Sequence, residues 1–385
     1  MRVTLLQDDI YVPVMGGGIK ANRCLLEELA RSGHTCSVIA RARTLSPDGP
    51  RTRDEFLQEL TNRRIDFEQV AEKRFDFTVN SVRVHAIDDD ELTQRAAACS
   101  ECVREAAPDY VIVADDKRRY MLPCALAAAP ERVVLLLQTI VQMPFGPLSV
   151  NPDPAYFELM RKTRAFVVIS EFEQTYVREH GGMSSSVVHL PVYGRGPFAN
   201  LAKSDGFVTM INPCNFKGLP IFVELVKSFP QVSFAAVPTW GANDEIMAQL
   251  QQFPNLTLLA RADDIEHILA QTRVLVAPSV WPETFGYVVP EAMLRGIPVI
   301  ASRIGGLPEA KLGVDYLVEV TPGEWQDGQF IVPPQNDKAW ADALNALVND
   351  PAEYQRCSVA SRAAAERFVN QVSAEKFVEV LSPTE

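Results

Sequence analysis

Short apolar runs of strand type alternate with helical stretches along almost the whole chain, and that alternation leaves few folds open. In the first half the runs are Val3–Leu6, Cys36–Ala40, Tyr110–Ala114, Val133–Leu137, Phe166–Ile169 and Val187–Leu190. Amphipathic or Ala-rich stretches such as Ile19–Arg31, Asp90–Ala106 and Phe172–Glu179 lie between them. Strands buried on both faces and joined by helices build a parallel sheet covered on each side, so the expectation is doubly wound α/β. The excursion across Arg51–His85 fits neither pattern. Pro191–Asp205 (PVYGRGPFANLAKSD) then breaks the alternation with Pro, Gly and polar residues and reads as an interdomain linker. A second series follows: Phe207–Ile211, Val232–Ala236, Leu256–Leu259, Val274–Ala277, Val299–Ala301 and Phe330–Val332. Helical stretches at Lys338–Val348, Ala352–Phe368 and Ala374–Val380 end the chain. At 385 residues the chain exceeds one typical core. The expectation is two Rossmann-like domains, residues 1–195 and 206–365, with an interdomain cleft. Ligands of such sheets bind outside the carboxyl ends of the strands.

Composition excludes several classes. A net charge of −12 argues against general nucleic-acid binding, which needs a basic face. It leaves room for a nucleotide pocket built from backbone N–H groups and a few local cations. The seven cysteines are scattered. Cys99 and Cys102 form the one tight pair, on an expected helix, with no second pair to complete a zinc site. No run approaches the roughly 18–20 apolar residues of a membrane span. The N-terminus, MRVTLLQDDIYV, reads as a first strand and not a signal peptide, so a cytoplasmic protein is expected.

The residues with the most chemistry lie between Ser279 and Glu309. Glu283 and Glu291 bracket a Thr-Phe-Gly turn, Thr284–Gly286, that opens onto a short helix expected at Ala292–Arg295. A strand at Ile297–Ala301 and a Gly-Gly turn at Gly305 and Gly306 follow. Carboxylates accept hydrogen bonds from vicinal hydroxyls, and amides at a helix start bind anionic oxygens. The order therefore suits a ligand that carries hydroxyls and phosphate together, as a nucleotide sugar does. Taken alone, Glu291 could equally be a first-turn glutamate complementing the helix dipole. Gly16, Gly17 and Gly18, between the first strand and its helix, let the backbone approach a ligand. Their spacing is not G-x-G-x-x-G, and the second strand ends in Ala40-Arg41 with no carboxylate for a ribose, which disfavours a dinucleotide site. Lys217, with Gly218, follows the strand Phe207–Ile211, where the helix dipole disfavours an idle cation. Asp88-Asp89-Asp90 is expected to begin a helix, so it is not a metal motif.

The pattern Glu283, Glu291-Ala292-Met293, Gly296, Pro298-Val299-Ile300 closely resembles the signature of the retaining GT-B glycosyltransferases of family four, the glycogen synthase-like group. The element order is compatible over nearly the full length, and the specific motifs lie mostly in the C-terminal half. The resemblance implies that Glu291 holds the donor ribose and Glu283 the hydroxyls of the transferred sugar. It places the amides of Phe285, Gly286 and Tyr287, next to Thr284, against sugar and phosphates. Lys217 would hold the diphosphate. An arginine common in the family is replaced by Asn212, followed by Pro213, so Arg303 is expected to assist from another loop. Gly17 and Gly18 would close over the donor or acceptor. Pro290 departs from a helix starting at Phe285 and fits one with its first turn at Pro290. The family's histidine after the strand Val133–Leu137 is replaced by Gln138-Thr139, and none of the five histidines has a motif partner. Retaining members are thought to let the departing phosphate take the acceptor's proton, so no protein base is required.

On this resemblance the expectation is transfer of a sugar from a UDP-, GDP-, ADP- or dTDP-linked donor to a small-molecule or saccharide acceptor, with no metal and no other cofactor. Asp115, Gln142 and Phe145 are the candidate acceptor contacts of the N-terminal domain, with Asp115 and Asp116 ending a strand. Residues from about 366 to 385 are expected to return to that domain, as in the family. Two rival readings remain open. One is a related enzyme, either a nucleotide-sugar epimerase or a pseudo-glycosyltransferase joining substrates through nitrogen. The other is a catalytically silent nucleotide-sugar binder.

Overall fold

In the computed structural model, which describes residues 1–14, 16–44, 49–326 and 329–382, the apolar runs of the first half lie side by side in one nine-stranded sheet. The strands are β1 (Arg2–Ile10), β2 (Thr35–Arg41), β3 (Phe67–Ala71), β4 (Arg74–Val79), β5 (Val82–Ile87), β6 (Tyr110–Ala114), β7 (Val133–Leu137), β8 (Ala165–Val168) and β9 (Ser186–Val187). Their order is β3-β4-β5-β2-β1-β6-β7-β8-β9, parallel from β5 to β9. Every residue of β7 is buried, as a central strand covered on both faces requires. The helix Gly17–Arg31 buries Ala21, Asn22, Leu25, Leu26 and Leu29, the spacing of one helical face. This unit comprises Met1–Val192 together with Val372–Glu385, so the short helix Glu375–Leu381 belongs to it.

The Arg51–His85 excursion proves to be an antiparallel extension of the same sheet. Thr52 and Glu55 form a reciprocal capping box that starts the helix Arg53–Asn62. Phe56 from that helix packs edge-on against Phe75 and near Phe77 of β4, with ring centroids 5.7 and 6.2 Å away. Asp88, Asp89 and Asp90 do not open a helix. The helix starts later, at Leu92, capped by Glu91, whose carboxylate accepts from the amides of Thr93 and Gln94. The three aspartates instead hold Arg43, Arg53 and Lys73.

Tyr193–Gln371 form the second unit. Its sheet contains β10 (Phe207–Ile211), β11 (Phe234–Val237), β12 (Leu256–Leu258), β13 (Thr272–Ala277), β14 (Val299–Ser302) and β15 (Leu317–Val318). All pairs are parallel, in the order β12-β11-β10-β13-β14-β15. A separate antiparallel pair joins β16 (Glu324–Gln326) to β17 (Gln329–Ile331). The segment expected to be an interdomain linker, Pro191–Asp205, belongs mostly to this unit. Leu201 donates its amide to the Arg295 carbonyl at 2.8 Å, and the Arg295 guanidinium lies 5.0 Å over the Phe198 ring. In each unit the strand order reverses between two neighbours, β1 and β6 in the first, β10 and β13 in the second, the position where doubly wound sheets open a crevice.

Candidate active site

The reversal point of the second unit brings Lys217 and Glu283 together. After β10 the chain makes a 3₁₀ turn, Asn215–Lys217, that ends at Gly218 before the helix Leu219–Ser228. Gly218 has φ +78°, and a Cβ there would sit 1.9 Å from the carbonyl oxygen of Pro278 in the loop after β13. Only glycine lets the two loops touch. Across that contact the Lys217 ammonium meets Glu283 Oε1 at 2.5 Å, and the Ser279 hydroxyl donates to the same oxygen at 2.5 Å. Lys217 and Glu283 are half-buried, so the pair is less screened than a surface one. Burial pushes the nearby Cys214 thiol upward, which keeps it protonated beside the lysine loop.

The Gly-Gly turn fixes the other side of the Glu283 loop. Gly306 donates its amide to the Glu283 carbonyl at 2.7 Å. A Cβ on Gly305 would lie 2.5 Å from that carbonyl, and one on Gly306 would lie 2.3 Å from the Thr284 carbonyl. Gly286, at φ +97°, then turns the chain into the helix Val288–Leu294. That helix starts four residues before the expected Ala292, and Pro290 stands in its first turn, where a missing N–H costs nothing. Glu291 is buried in the same turn. The Phe285 side chain is core, stacked against Phe368 with centroids 5.9 Å apart, so only its backbone faces the loop. Tyr287 caps the helix and packs on Phe285.

Two expected donor contacts have other partners. Arg303 follows β14 and pairs with Glu319 at 2.7 Å on the surface, so its guanidinium is held by a carboxylate beside β15. Asn212 is buried in the left-handed region at φ +60°, and its Oδ1 accepts from the Gly241 amide at 2.9 Å. It acts as a strut between the loops after β10 and β11. Its Nδ2 is buried without a hydrogen-bond partner among the described residues.

In the first unit the exposed Gly16 and Gly17 open the helix Gly17–Arg31, and Gly18 lies beside Asp115 and Gln138. Asp115 is committed to the fold: it accepts from the amides of Gln138 and Thr139 and from the Thr139 hydroxyl at 2.9, 3.1 and 2.6 Å. This ties the carboxyl end of β6 to that of β7. Burial raises the pKa of Asp116, whose oxygens accept from the amides of Tyr120 and Leu122 and from Tyr156. Phe145, expected to meet an acceptor, is instead core: its ring packs on Phe157 at 4.6 Å and stacks on Tyr176 at 6.2 Å. Gln142 is half-buried at the end of the turn Ile140–Gln142.

Sequence reasoning missed Ser279, four residues before Glu283, and the amide chain Gln138–Asn22–Gln7, linked at 2.8 and 3.2 Å. Ser279 and Gln138 follow strand ends, whereas Asn22 and Gln7 are polar residues at buried positions of a helix and a strand. His85 is occupied by Asp76 at 2.9 Å, and His189 by the Ile169 carbonyl. Among the described residues no group of three or more His, Cys, Asp or Glu is placed to hold a metal ion, and no helix is long and apolar enough to cross a membrane.

Residues 203–350, which include the whole Lys217–Glu291 constellation, match the family model described as Glycosyl transferases group 1. A D-inositol 3-phosphate glycosyltransferase of Corynebacterium diphtheriae is 33% identical over 118 residues, which is 31% of this chain and 25% of that protein. The chain thus spans about a quarter of the length of the curated relatives it matches. Anabaena Alr3699/HepE, solved in complex with UDP and glucose, covers 100% of both chains at a TM-score of 0.66 and 21% identity. The catalytic domain of Arabidopsis thaliana starch synthase IV, bound to ADP and acarbose, covers 99% of this chain and 98% of its own at a TM-score of 0.71 and 14% identity. These whole-chain likenesses fix the fold as GT-B.

Proposed function

We propose that this chain is a retaining glycosyltransferase that moves a sugar from a nucleoside diphosphate donor to an acceptor hydroxyl without a metal ion. The observation that carries the reading is the Lys217–Glu283–Ser279 cluster, set beside the helix that bears Glu291 at the reversal point of the second sheet. Support comes from the family match across residues 203–350 and from the UDP, glucose and ADP held by proteins of the same fold.

In this reading the Lys217 ammonium bridges Glu283 and the donor diphosphate. Both bonds to Glu283 fall on Oε1 and fix the carboxylate's orientation, which presents Oε2 to hydroxyls of the transferred sugar. Glu291 accepts from the ribose, and the start of the helix Val288–Leu294 faces anionic oxygens. The bond between the anomeric carbon and the phosphate oxygen breaks, and its electron pair leaves with the diphosphate. The acceptor oxygen bonds to the anomeric carbon on the same face, and its proton passes to a diphosphate oxygen. The protein's contribution is positioning and stabilisation of the leaving charge by Lys217. No side-chain base enters, consistent with Gln138 at the end of β7. The acceptor, a small molecule or saccharide, is assigned to the first unit.

The test is thermal stability with UDP, GDP, ADP, dTDP and NAD, in wild type and Glu291→Ala. A ligand at a hundred times its dissociation constant adds about 2.7 kcal/mol. One nucleoside diphosphate is expected to raise the melting temperature of the wild type alone. Release of that diphosphate from its sugar is then expected to depend on acceptor. A shift with NAD alone, or none, would sink the donor site. Binding without acceptor-dependent release would point to a silent nucleotide-sugar binder.

A further inference from the structure

We infer that Phe216, Trp281, Phe330 and Trp325 form a saccharide-binding platform in the second unit, with Trp325 as the ring on which a pyranose stacks. In the glycosyl-transfer reading that pyranose belongs to the acceptor, which is then a saccharide. This second half rests on that reading; the platform itself does not.

The chain places its tryptophans unevenly. All four lie in the second unit, and Trp340 is fully buried within the helix Asp337–Asn349. The other three stand on segments that follow β11, β13 and β15, the carboxyl edge of the sheet that also bears Lys217 and Glu283. Trp240 and Trp325 are 55% and 47% exposed there. Indole carries one of the largest apolar surfaces of any side chain, so leaving two of them in solvent at one edge forgoes much burial.

The β16–β17 hairpin is fastened so that one ring stays outside. The Thr321 amide donates to Gln335 Oε1 at 3.0 Å, and Gln335 Nε2 donates back to the Thr321 carbonyl at 2.9 Å. The Gly323 amide donates to the Val280 carbonyl at 2.8 Å, three residues before Glu283. Trp325 and Phe330 are directly opposed across the two strands, so both project to one face. Phe330 anchors that face, with its centroid 4.4 Å from Phe216 and 5.4 Å from Trp281. These three rings are half-buried against one another. Trp325 adds its ring 5.6 Å from Phe216 and 5.8 Å from Phe330 and remains the most exposed of the four. Anchoring the hairpin explains the three half-buried rings but not Trp325.

Chemistry narrows the occupant. Residues 320–331 contain no Lys or Arg and two acidic residues, Glu324 and Asp327. That composition repels an anionic membrane leaflet and offers no cation to a nucleic-acid backbone. Three of the rings are half-buried, so the patch falls short of the roughly 800 Å² per partner that a stable interface with a second copy takes. A pyranose is neutral and compact. Its C–H face is apolar enough to lie on an indole, and its hydroxyls can accept from the indole N–H. The platform is also continuous with residues assigned to another sugar: Phe216 precedes Lys217, and Trp281 stands midway between Ser279 and Glu283.

The experiment is calorimetric titration and saturation-transfer NMR of the full chain with maltotriose, mannotriose and galactotriose, with glycerol as a polyol control. Wild type is compared with Trp325→Ala, Trp325→Phe and Glu283→Ala, and the mass of each is read by analytical ultracentrifugation. At least one trisaccharide is expected to bind wild type, and Trp325→Ala at least tenfold more weakly. Trp325→Phe, which keeps a ring, should fall between them, and Glu283→Ala should stay within threefold of wild type. Trp325→Ala should keep its nucleoside diphosphate shift. No trisaccharide binding, or affinity unchanged by Trp325→Ala, overturns the platform. Affinity lost in Glu283→Ala but kept in Trp325→Ala places the sugar in the donor pocket and overturns it too. Glycerol matching the trisaccharide overturns stacking. A wild-type dimer that Trp325→Ala dissociates, with no saccharide bound, gives the face to a second copy instead. With a nucleotide sugar present, the bound trisaccharide is expected to accelerate diphosphate release at least tenfold; binding without acceleration keeps the platform and refutes the acceptor assignment. Trisaccharide binding in a chain that binds no nucleotide keeps the platform and refutes the glycosyl-transfer reading separately.

Discussion

Gly218 offers the sharpest test of how the site is assembled, because a second glycine serves as its control. Gly218 and Gly313 both have φ +78° and both lie in the second unit. Alanine at either position adopts a left-handed backbone at a cost of about 1–2 kcal/mol. At Gly313 the new methyl meets nothing within 4 Å, so that cost is the whole effect. At Gly218 the methyl lies 1.9 Å from the Pro278 carbonyl oxygen, against a floor of 3.0 Å for real contacts. The loops after β10 and β13 must therefore part by about 1 Å, and with them Lys217 and the Ser279–Glu283 pair. Misplacement on that scale costs on the order of a hundredfold in a positioned reaction. Gly313→Ala should melt slightly lower with unchanged nucleotide affinity. Gly218→Ala should melt lower still and bind the nucleoside diphosphate at least tenfold more weakly by calorimetry. Equal behaviour of the two variants in both measurements would refute the close approach of the loops as the device that sets the Lys217–Glu283 pair.

Other outcomes follow from single contacts. Lys217→Met should weaken a nucleoside diphosphate by about 1.5–3 kcal/mol, the worth of a hydrogen bond to a charged group, and leave the free nucleoside unaffected in the same titration. Ser279→Ala should weaken the sugar nucleotide several-fold but not the free diphosphate, since among the described residues its hydroxyl bonds to Glu283 alone. Buried Lys311, donating to the Val299 carbonyl at 2.6 Å, has its pKa lowered by desolvation from 10.5 to about 8. Between those values the unfolded chain binds the extra proton, so stability contributed at this position rises with pH from about 8 to 10.5. Chemical denaturation of wild type and Lys311→Met across that range should show wild type gaining on the order of 3 kcal/mol relative to the variant; parallel curves would contradict the assignment.

The parallel strands were legible because both of their faces are buried, which leaves unbroken apolar runs such as Val133–Leu137. The antiparallel extension was not. Every residue of β3 is exposed, so its FEQVA sequence carries no alternation to read. β15 has two residues and β16 three, too few for any period. The Glu283–Glu291 loop was legible through family resemblance, but its lysine lies 66 residues upstream, and only folding pairs them. Phe145 was misjudged because an aromatic beside a strand end looks the same in sequence whether it faces a ligand or Phe157.

β16 and β17 bring a further property to the lysine loop. Phe216, the residue before Lys217, is surrounded by Trp281, Trp325 and Phe330, with centroids 6.2, 5.6 and 4.4 Å away. Trp325 is 47% exposed, whereas Trp340 is fully buried. Indole emission is sensitive to solvent and to nearby charge, so Trp325, together with Trp240 at 55% exposure, is expected to emit at longer wavelength than Trp340. The chain therefore carries an indole against the residue that precedes Lys217, and its emission is expected to shift when that lysine is occupied, a readout that needs no attached dye.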